Sequence, residues 1–196
     1  MKHFIYLFSP FVLGLNDPNG IPIDELVPVL LDAAEVEGLK LAFHIEPYTG
    51  RGPLSLRKNL SYIQESYGNH PAFYKVNGKP FYYIYDSYIT PATEWARLLK
   101  PGGDLTVRGT KLDAIFIGLI VDYKHRNQLK SAGFDGFYTY FGANGFSYGS
   151  TWKNWRSLAM FARKSSLIFI PSVAPGYDDM RVSFQNTFTA QQLGVY

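Results

Sequence analysis

Three side chains with chemical capability, the imidazole of His44, the carboxylate of Glu46 and the phenol of Tyr48, stand two residues apart in Phe43-His44-Ile45-Glu46-Pro47-Tyr48. Alternate residues of a strand face the same side, so the three point together for as long as the backbone stays extended. Pro47 cannot donate to a sheet ladder, so a strand arriving here should stop, and polar groups at a strand's end often form the rim of a binding site. They also suit a plain strand end whose polar groups are satisfied within the protein. Similar groups recur downstream in Tyr85-Asp86-Ser87-Tyr88, Asp122-Tyr123, Tyr138-Thr139-Tyr140-Phe141 and Pro171-Ser172 with Pro175-Gly176-Tyr177. Carboxylates accept paired hydroxyl hydrogen bonds and aromatic rings cover apolar sugar faces, so such a set suits a neutral carbohydrate.

Each residue has a structural alternative. Asp86 can cap the turn before Thr90, and Asp122 can cap the following helix. Tyr138 and Tyr140 share a strand face and can simply be core. His70-Pro71 reads first as a loop element.

The elements that must position these groups alternate along the chain. Leu26, Val27, Leu30, Leu31 and Ala34 recur at helical spacing between Asp24, a candidate N-cap, and Gly38, a candidate stop. A strand from Leu39 to Phe43 follows, then a helix from Ser55 to Tyr67 with Leu56, Leu60, Ile63 and Tyr67 on one face. Pro80 to Tyr85 reads as a strand. Thr90-Pro91 reads as a cap and first helical residue for a helix to about Leu99, which Pro101-Gly102-Gly103 ends. Strands are expected over Leu112 to Val121, Phe134 to Phe141 and Leu167 to Val173, with helical connections over Tyr123 to Ala132 and Lys153 to Lys164.

Consecutive strand and helix units of this kind form a parallel sheet, and ligands bind at the carboxyl ends of its strands, where the groups above fall. Independent caps need not gather at one edge. A closed (β/α)8 barrel typically takes about 250 residues, so periodicity leaves two architectures, an open α/β sheet or an incomplete barrel of about five to six units. No linker or low-complexity segment divides the 196 residues.

Composition removes several classes. A net charge of +3 without a Lys/Arg cluster gives no reason to expect a nucleic-acid partner. With no cysteine there is no disulfide framework or thiolate metal site, and the four histidines lack ligand spacing, so no metal is expected. Fifteen Tyr and fifteen Phe suit either a core or a sugar site. Lys2-His3 followed by the apolar Phe4 to Leu13 reads as a weak signal segment, a buried strand or an arbitrary start, and it is too short to span a bilayer. Asn59-Leu60-Ser61 is a glycosylation sequon.

At these residues the sequence resembles the glycoprotein endo-α-1,2-mannosidases of glycoside hydrolase family 99. The resemblance runs from Asn16-Asp17 to about Tyr177, with 178–196 as a divergent tail. It is carried by His44-Ile45-Glu46-Pro47-Tyr48, Tyr67-Gly68-Asn69-His70-Pro71-Ala72-Phe73-Tyr74 and Tyr85-Asp86-Ser87-Tyr88-Ile89-Thr90. It continues in Gly133-Phe134-Asp135-Gly136-Phe137-Tyr138-Thr139-Tyr140-Phe141, Asn144-Gly145-Phe146, Ile170-Pro171-Ser172-Val173 and Pro175-Gly176-Tyr177. What it implies is a (β/α)8 barrel, a retaining glycosidase without metal or cofactor, trimming of glucosylated mannose from N-linked glycans, and a Golgi location. It also implies sugar contacts from Glu46 and Tyr140, joined by His44, Tyr48, Asp86 and Tyr88.

The departures matter as much. Glycosidases generally use two carboxyl groups, and the resemblance places both in a late Glu-Trp-His-Glu-Gly stretch that the 196 residues do not contain. Where the family has Ser-Trp-Tyr-Pro-Pro, this chain has Ser9-Pro10-Phe11-Val12-Leu13, with Phe11 the candidate to replace a sugar-site aromatic. The expectation is therefore a chain truncated at both ends, one partial barrel domain without catalytic residues of its own. The alternatives are a non-catalytic mannoside-binding fragment and a related barrel of bacterial polysaccharide synthesis, which shares the histidine-proline and Asn77-Gly78-Lys79-Pro80 region.

Overall fold

The computed structural model describes residues 5–8 and 23–174. Phe11, the Asn16-Asp17 start, the Pro175-Gly176-Tyr177 block and the tail 178–196 lie outside the described residues.

Six parallel strands form the sheet: β1 (Ile5–Phe8), β2 (Lys40–Ile45), β4 (Lys79–Ile84), β5 (Ile115–Leu119), β6 (Gly136–Tyr138) and β7 (Ile168–Ile170), hydrogen-bonded in that order. A two-residue strand, β3 (Lys75–Val76), pairs antiparallel with β4. The helices are α1 (Leu26–Val36), α2 (Pro53–Tyr67), α3 (Ala92–Leu99), α4 (His125–Ala132) and α5 (Trp155–Lys164), each lying between successive parallel strands. The strand order follows the chain without reversal, which is the order of a (β/α) barrel over six of its strands and not of a doubly wound open sheet, so the barrel alternative holds.

Strand alternation divides the core in two. Phe43 and Ile45, Tyr82 and Ile84, Phe116, and Phe137 face the helices in the larger cluster, which includes the buried stripe Leu56, Leu60, Ile63 and Tyr67 of α2. Ala42, Phe81, Tyr83, Ile117, Leu119 and Tyr138 fill the concave side. His44 and Glu46 follow Ala42 on that side, and Tyr85 follows Tyr83. The candidate site groups therefore continue the barrel's inner layer upward to its carboxyl end.

Two glycines permit close approach. A Cβ on Gly118 would lie 2.3 Å from Leu129 Cδ2 and 3.1 Å from Ser87 Oγ, so its absence lets α4 and the β4–α3 connection press on β5. Gly133 ends α4 at φ +90, and a Cβ there would lie 2.7 Å from the Leu99 carbonyl oxygen.

Several expected boundaries move. The strand expected over 39–43 runs to Ile45, so His44 lies inside it, while the strands expected over 112–121, 134–141 and 167–173 shorten to 115–119, 136–138 and 168–170. Tyr140, at φ +54, turns the chain away after β6. Pro91 is the N-cap of α3 rather than its first residue. Asp24 does not cap α1 with its side chain; a 3-10 turn over Ile23–Glu25 leads in, and the Asp24 carboxylate accepts the Tyr62 hydroxyl at 2.8 Å. Leu26 and Leu30, expected on the buried face, are exposed, leaving Val27, Leu31 and Ala34 as the buried stripe. The sequon asparagine lies within α2, where its amide donates to Tyr48 Oη at 2.9 Å. No described helix is long and apolar enough to cross a membrane.

Candidate functional site

His44 is nearly solvent-free on β2, its exposure 2%, and it links the barrel interior to the rim. Its Nδ1 lies 2.9 Å from Glu46 Oε1 and its Nε2 lies 2.6 Å from the hydroxyl of Tyr138, which comes from β6, three positions away in the sheet. Period-two alternation puts His44 and Glu46 on one face, and barrel curvature brings β6 across to meet them. Rings of Tyr83, Tyr85, Tyr138 and Tyr140 surround the imidazole at centroid distances of 5.3 to 6.4 Å, with Tyr140 nearly parallel to it at 22°. Tyr85 and Tyr140 meet edge to face at 4.7 Å. Tyr140 is 43% exposed and forms the outer lip; Tyr138 beneath it is core.

Asp86 stands beside this cluster in a left-handed conformation, φ +46, at the start of the 3-10 turn Ser87–Ile89. Its carboxylate makes no capping bond to that turn and instead accepts the Tyr88 hydroxyl at 2.7 Å. The expected alternative, a side-chain cap, is thus replaced by a rim contact. Arg51 fixes the segment from the β2–α2 connection, its Nη1 and Nη2 donating to the carbonyls of Tyr85 and Asp86 at 2.6 and 2.7 Å. From the opposite side, Ser87 Oγ receives the Leu119 amide at 3.0 Å and Trp95 Nε1 donates to the Ser87 carbonyl at 2.8 Å.

Tyr48 belongs to the α2 side of the rim, since β2 ends at Ile45 and the alternation lapses before it. Its hydroxyl donates to Ser55 Oγ at 3.0 Å and accepts from Asn59. Tyr88 lies flat on His125, 4.7 Å and 11° apart. Asp122 takes its local role, accepting the Lys124 amide at 2.9 Å, and His70 takes a loop role, receiving the Ala72 amide.

Burial and the two carboxylates keep these phenols protonated. Burial, then Asp86, Tyr140 and Glu46, push Tyr85 up to about 12. Burial and the hydroxyl's bond to Asp86 do the same for Tyr88, also to about 12. Burial, then Glu46, hold Tyr138 well above the ordinary phenol value, and the same two causes raise Tyr140. Burial lowers the Arg51 guanidinium, offset in part by Asp86, Tyr48 and Glu46. The rim thus presents neutral hydroxyl donors, aromatic faces and acceptor carboxylates, with its nearby cation spent on backbone carbonyls. Such a lining has the chemistry to meet a neutral polyol. Among the described residues no three His, Cys, Asp or Glu side chains converge to hold a metal.

Against this geometry the comparisons are consistent. The profile of glycosyl hydrolase family 99 matches residues 9–194. The chain belongs to glycosyl hydrolase family 99. It is 51% identical over 182 residues to the glycoprotein endo-alpha-1,2-mannosidase of Xenopus laevis, covering 89% of this chain and 40% of that protein. The mouse protein of the same name is 49% identical, with 88% and 38% covered. Two solved structures of the GH99 endo-alpha-mannosidase from Bacteroides thetaiotaomicron superpose with TM-scores of 0.81 and 0.77, at 43% and 48% identity. They cover 93% and 82% of this chain and 52% and 50% of theirs. The chain therefore spans about two fifths of the length of these curated relatives and about half of the solved structures.

Arg51 is the rim residue that the sequence did not single out. Its partners are carbonyls 34 and 35 residues away, and no spacing rule reports such an approach.

Proposed function

We propose that these 196 residues provide the mannoside-binding wall of an endo-α-1,2-mannosidase and bind α-linked mannose without cleaving it on their own. The observation that carries the reading is the convergence of Glu46, His44, Asp86, Tyr88 and Tyr140 at the carboxyl edge of a parallel sheet, as a layer of acceptors, donors and rings. The relatives, glycoprotein endo-alpha-1,2-mannosidases, supply the glycosidic linkage. The lack of cleavage follows from the resemblance, whose paired glutamates sit in a stretch that the 196 residues do not contain. On the same kinship the natural ligand is an N-glycan oligosaccharide and the compartment the Golgi.

The test is titration of the purified 196-residue chain with α-1,2-mannobiose, followed by calorimetry and by analysis of the sugar afterwards. Binding is expected at about millimolar affinity with the disaccharide intact, and Glu46→Gln is expected to weaken it by about tenfold, the loss of one charge-assisted hydrogen bond. No heat up to that concentration would refute the binding role. Cleavage that disappears in Glu46→Gln would refute the non-cleaving one.

A further inference from the structure

The Tyr138–His44–Glu46 chain has a direction, and the direction fixes what the rim can recognise. Tyr138 is 1% exposed, and its hydroxyl has one hydrogen-bond partner among the described residues, Nε2 of His44. A buried phenol keeps its proton and must place it on an acceptor, because an unsatisfied buried donor costs about 1 to 3 kcal/mol. The acceptor within reach is Nε2 at 2.6 Å, so that nitrogen carries the lone pair. A neutral imidazole with an acceptor at Nε2 bears its hydrogen on Nδ1, and Nδ1 faces Glu46 Oε1 at 2.9 Å. Among the described residues, the rings of Tyr83, Tyr85 and Tyr140 lie stacked or tilted against the imidazole and hold its plane.

Taking the rim as the sugar site proposed above, we propose that His44, oriented by Tyr138, is a positioning residue that holds Glu46 as an acceptor-only carboxylate, so that the pyranoside hydroxyl bound there must donate. Proton order runs from Tyr138 Oη to His44 Nε2 and from His44 Nδ1 to Glu46. Two buried residues thereby set the polarity of a group that is 22% exposed at the rim. A group that can only accept separates ligands by their hydroxyl donors: a fluorine in place of the hydroxyl can accept but cannot donate, so it offers Glu46 no more than a hydrogen does.

Two measurements on the isotope-labelled 196-residue chain test this. Nitrogen NMR at neutral pH reads the His44 tautomer directly, without sugar. The expected result is a single tautomer with its hydrogen on Nδ1 in the wild type, kept in Glu46→Gln because the Tyr138 hydroxyl still donates to Nε2. A hydrogen on Nε2, or on both nitrogens, would overturn the assignment of His44.

The second measurement compares methyl α-mannosides in which each hydroxyl in turn is replaced by hydrogen or by fluorine. At the position Glu46 reads, both replacements are expected to lose about tenfold in affinity, and Tyr138→Phe to reduce that discrimination. A purely structural role for Tyr138 would lower thermal stability and leave the discrimination intact. Retention of affinity by the fluoro compound wherever the deoxy compound loses it would overturn the donor requirement. Failure of every mannoside to bind would overturn the sugar reading and the donor requirement with it, while the tautomer alone still decides the role of His44.

Discussion

Arg51 shows how a single side chain holds this rim. Both ends of its guanidinium fork are used on successive carbonyls, Tyr85 and Asp86, and the second belongs to a residue in a left-handed conformation. Such a conformation is disfavoured for a residue with a Cβ and persists when the surroundings enforce it. Arg51→Met should therefore destabilise the chain by about 2 kcal/mol in denaturant titration and speed amide exchange around Asp86. Lysine should recover only part of this, since a point charge cannot span two carbonyls. Tyrosines give a second residue-scale expectation. Tyr83, Tyr85 and Tyr88 are each held up to about 12, against an ordinary 10.0, with burial the largest cause. Between those values the unfolded chain has released protons that the folded chain still holds, so stability is complete below about pH 10 and falls as pH rises through about 12. Near-ultraviolet titration should show these phenols ionising late, and an ordinary midpoint would remove the argument. His44 and Glu46 were legible as neighbours because they stand two residues apart at the end of β2, where alternation puts them on one face. Tyr138 was readable only as one of two faces, since nothing local says that its hydroxyl meets an imidazole 94 residues away.

Elements were legible wherever the period was long and unbroken. The α2 stripe Leu56, Leu60, Ile63 and Tyr67 is buried as its spacing requires. Strand ends were harder, because apolar residues beyond a strand can serve a neighbouring loop, as Leu112 does ahead of β5 and Phe141 after β6. The β3–β4 hairpin was missed although its turn, Asn77-Gly78 with φ of +51 and +79, is a common two-residue hairpin sequence. The amino-terminal side of the sheet has its own clasp, which the sequence did not suggest. Arg108, 13% exposed, donates to the carbonyls of Leu99, Ala114 and Gly133 and to the carboxylates of Asp113 and Asp135. Asp135 in turn receives the Phe116 amide at 2.8 Å. The fork ties the ends of α3 and α4 to the starts of β5 and β6, opposite the rim. Arg108→Met should cost about 3 kcal/mol, read as a lower denaturation midpoint, because the two carboxylates lose their shared cation. A change within about 0.5 kcal/mol, the range of ordinary surface substitutions, would mean that the clasp is dispensable.

On the scale of the whole molecule, beats of strand and helix were enough to establish a parallel α/β architecture, and the wall of tyrosines and phenylalanines on the concave side shows why it curves. Tyr83, Ile117, Leu119 and Tyr138 are buried against one another and fill that side. Closure was not legible, because a βα repeat reads the same in an open sheet and in a barrel until the strand faces are compared. The outer layer carries a different consequence. In α1 the buried stripe is narrow, and Leu26, Val29, Leu30 and Val36 are 50%, 61%, 37% and 83% exposed along the same helix. Scattered exposed apolar residues are ordinary, but four on three turns of one helix form a patch of the kind that proteins cover with a neighbour. The 196-residue chain should accordingly self-associate at high micromolar to millimolar concentration, seen as a rising sedimentation coefficient. Val29→Lys with Val36→Lys should suppress it, since both sites are too exposed to matter for the core. Their thermal midpoint should stay unchanged, which separates loss of association from loss of fold. Persistent association in the double variant would shift the contact to β1 or β7, the outermost strands among the described residues, since ladder groups at a sheet edge are the other source of pairing.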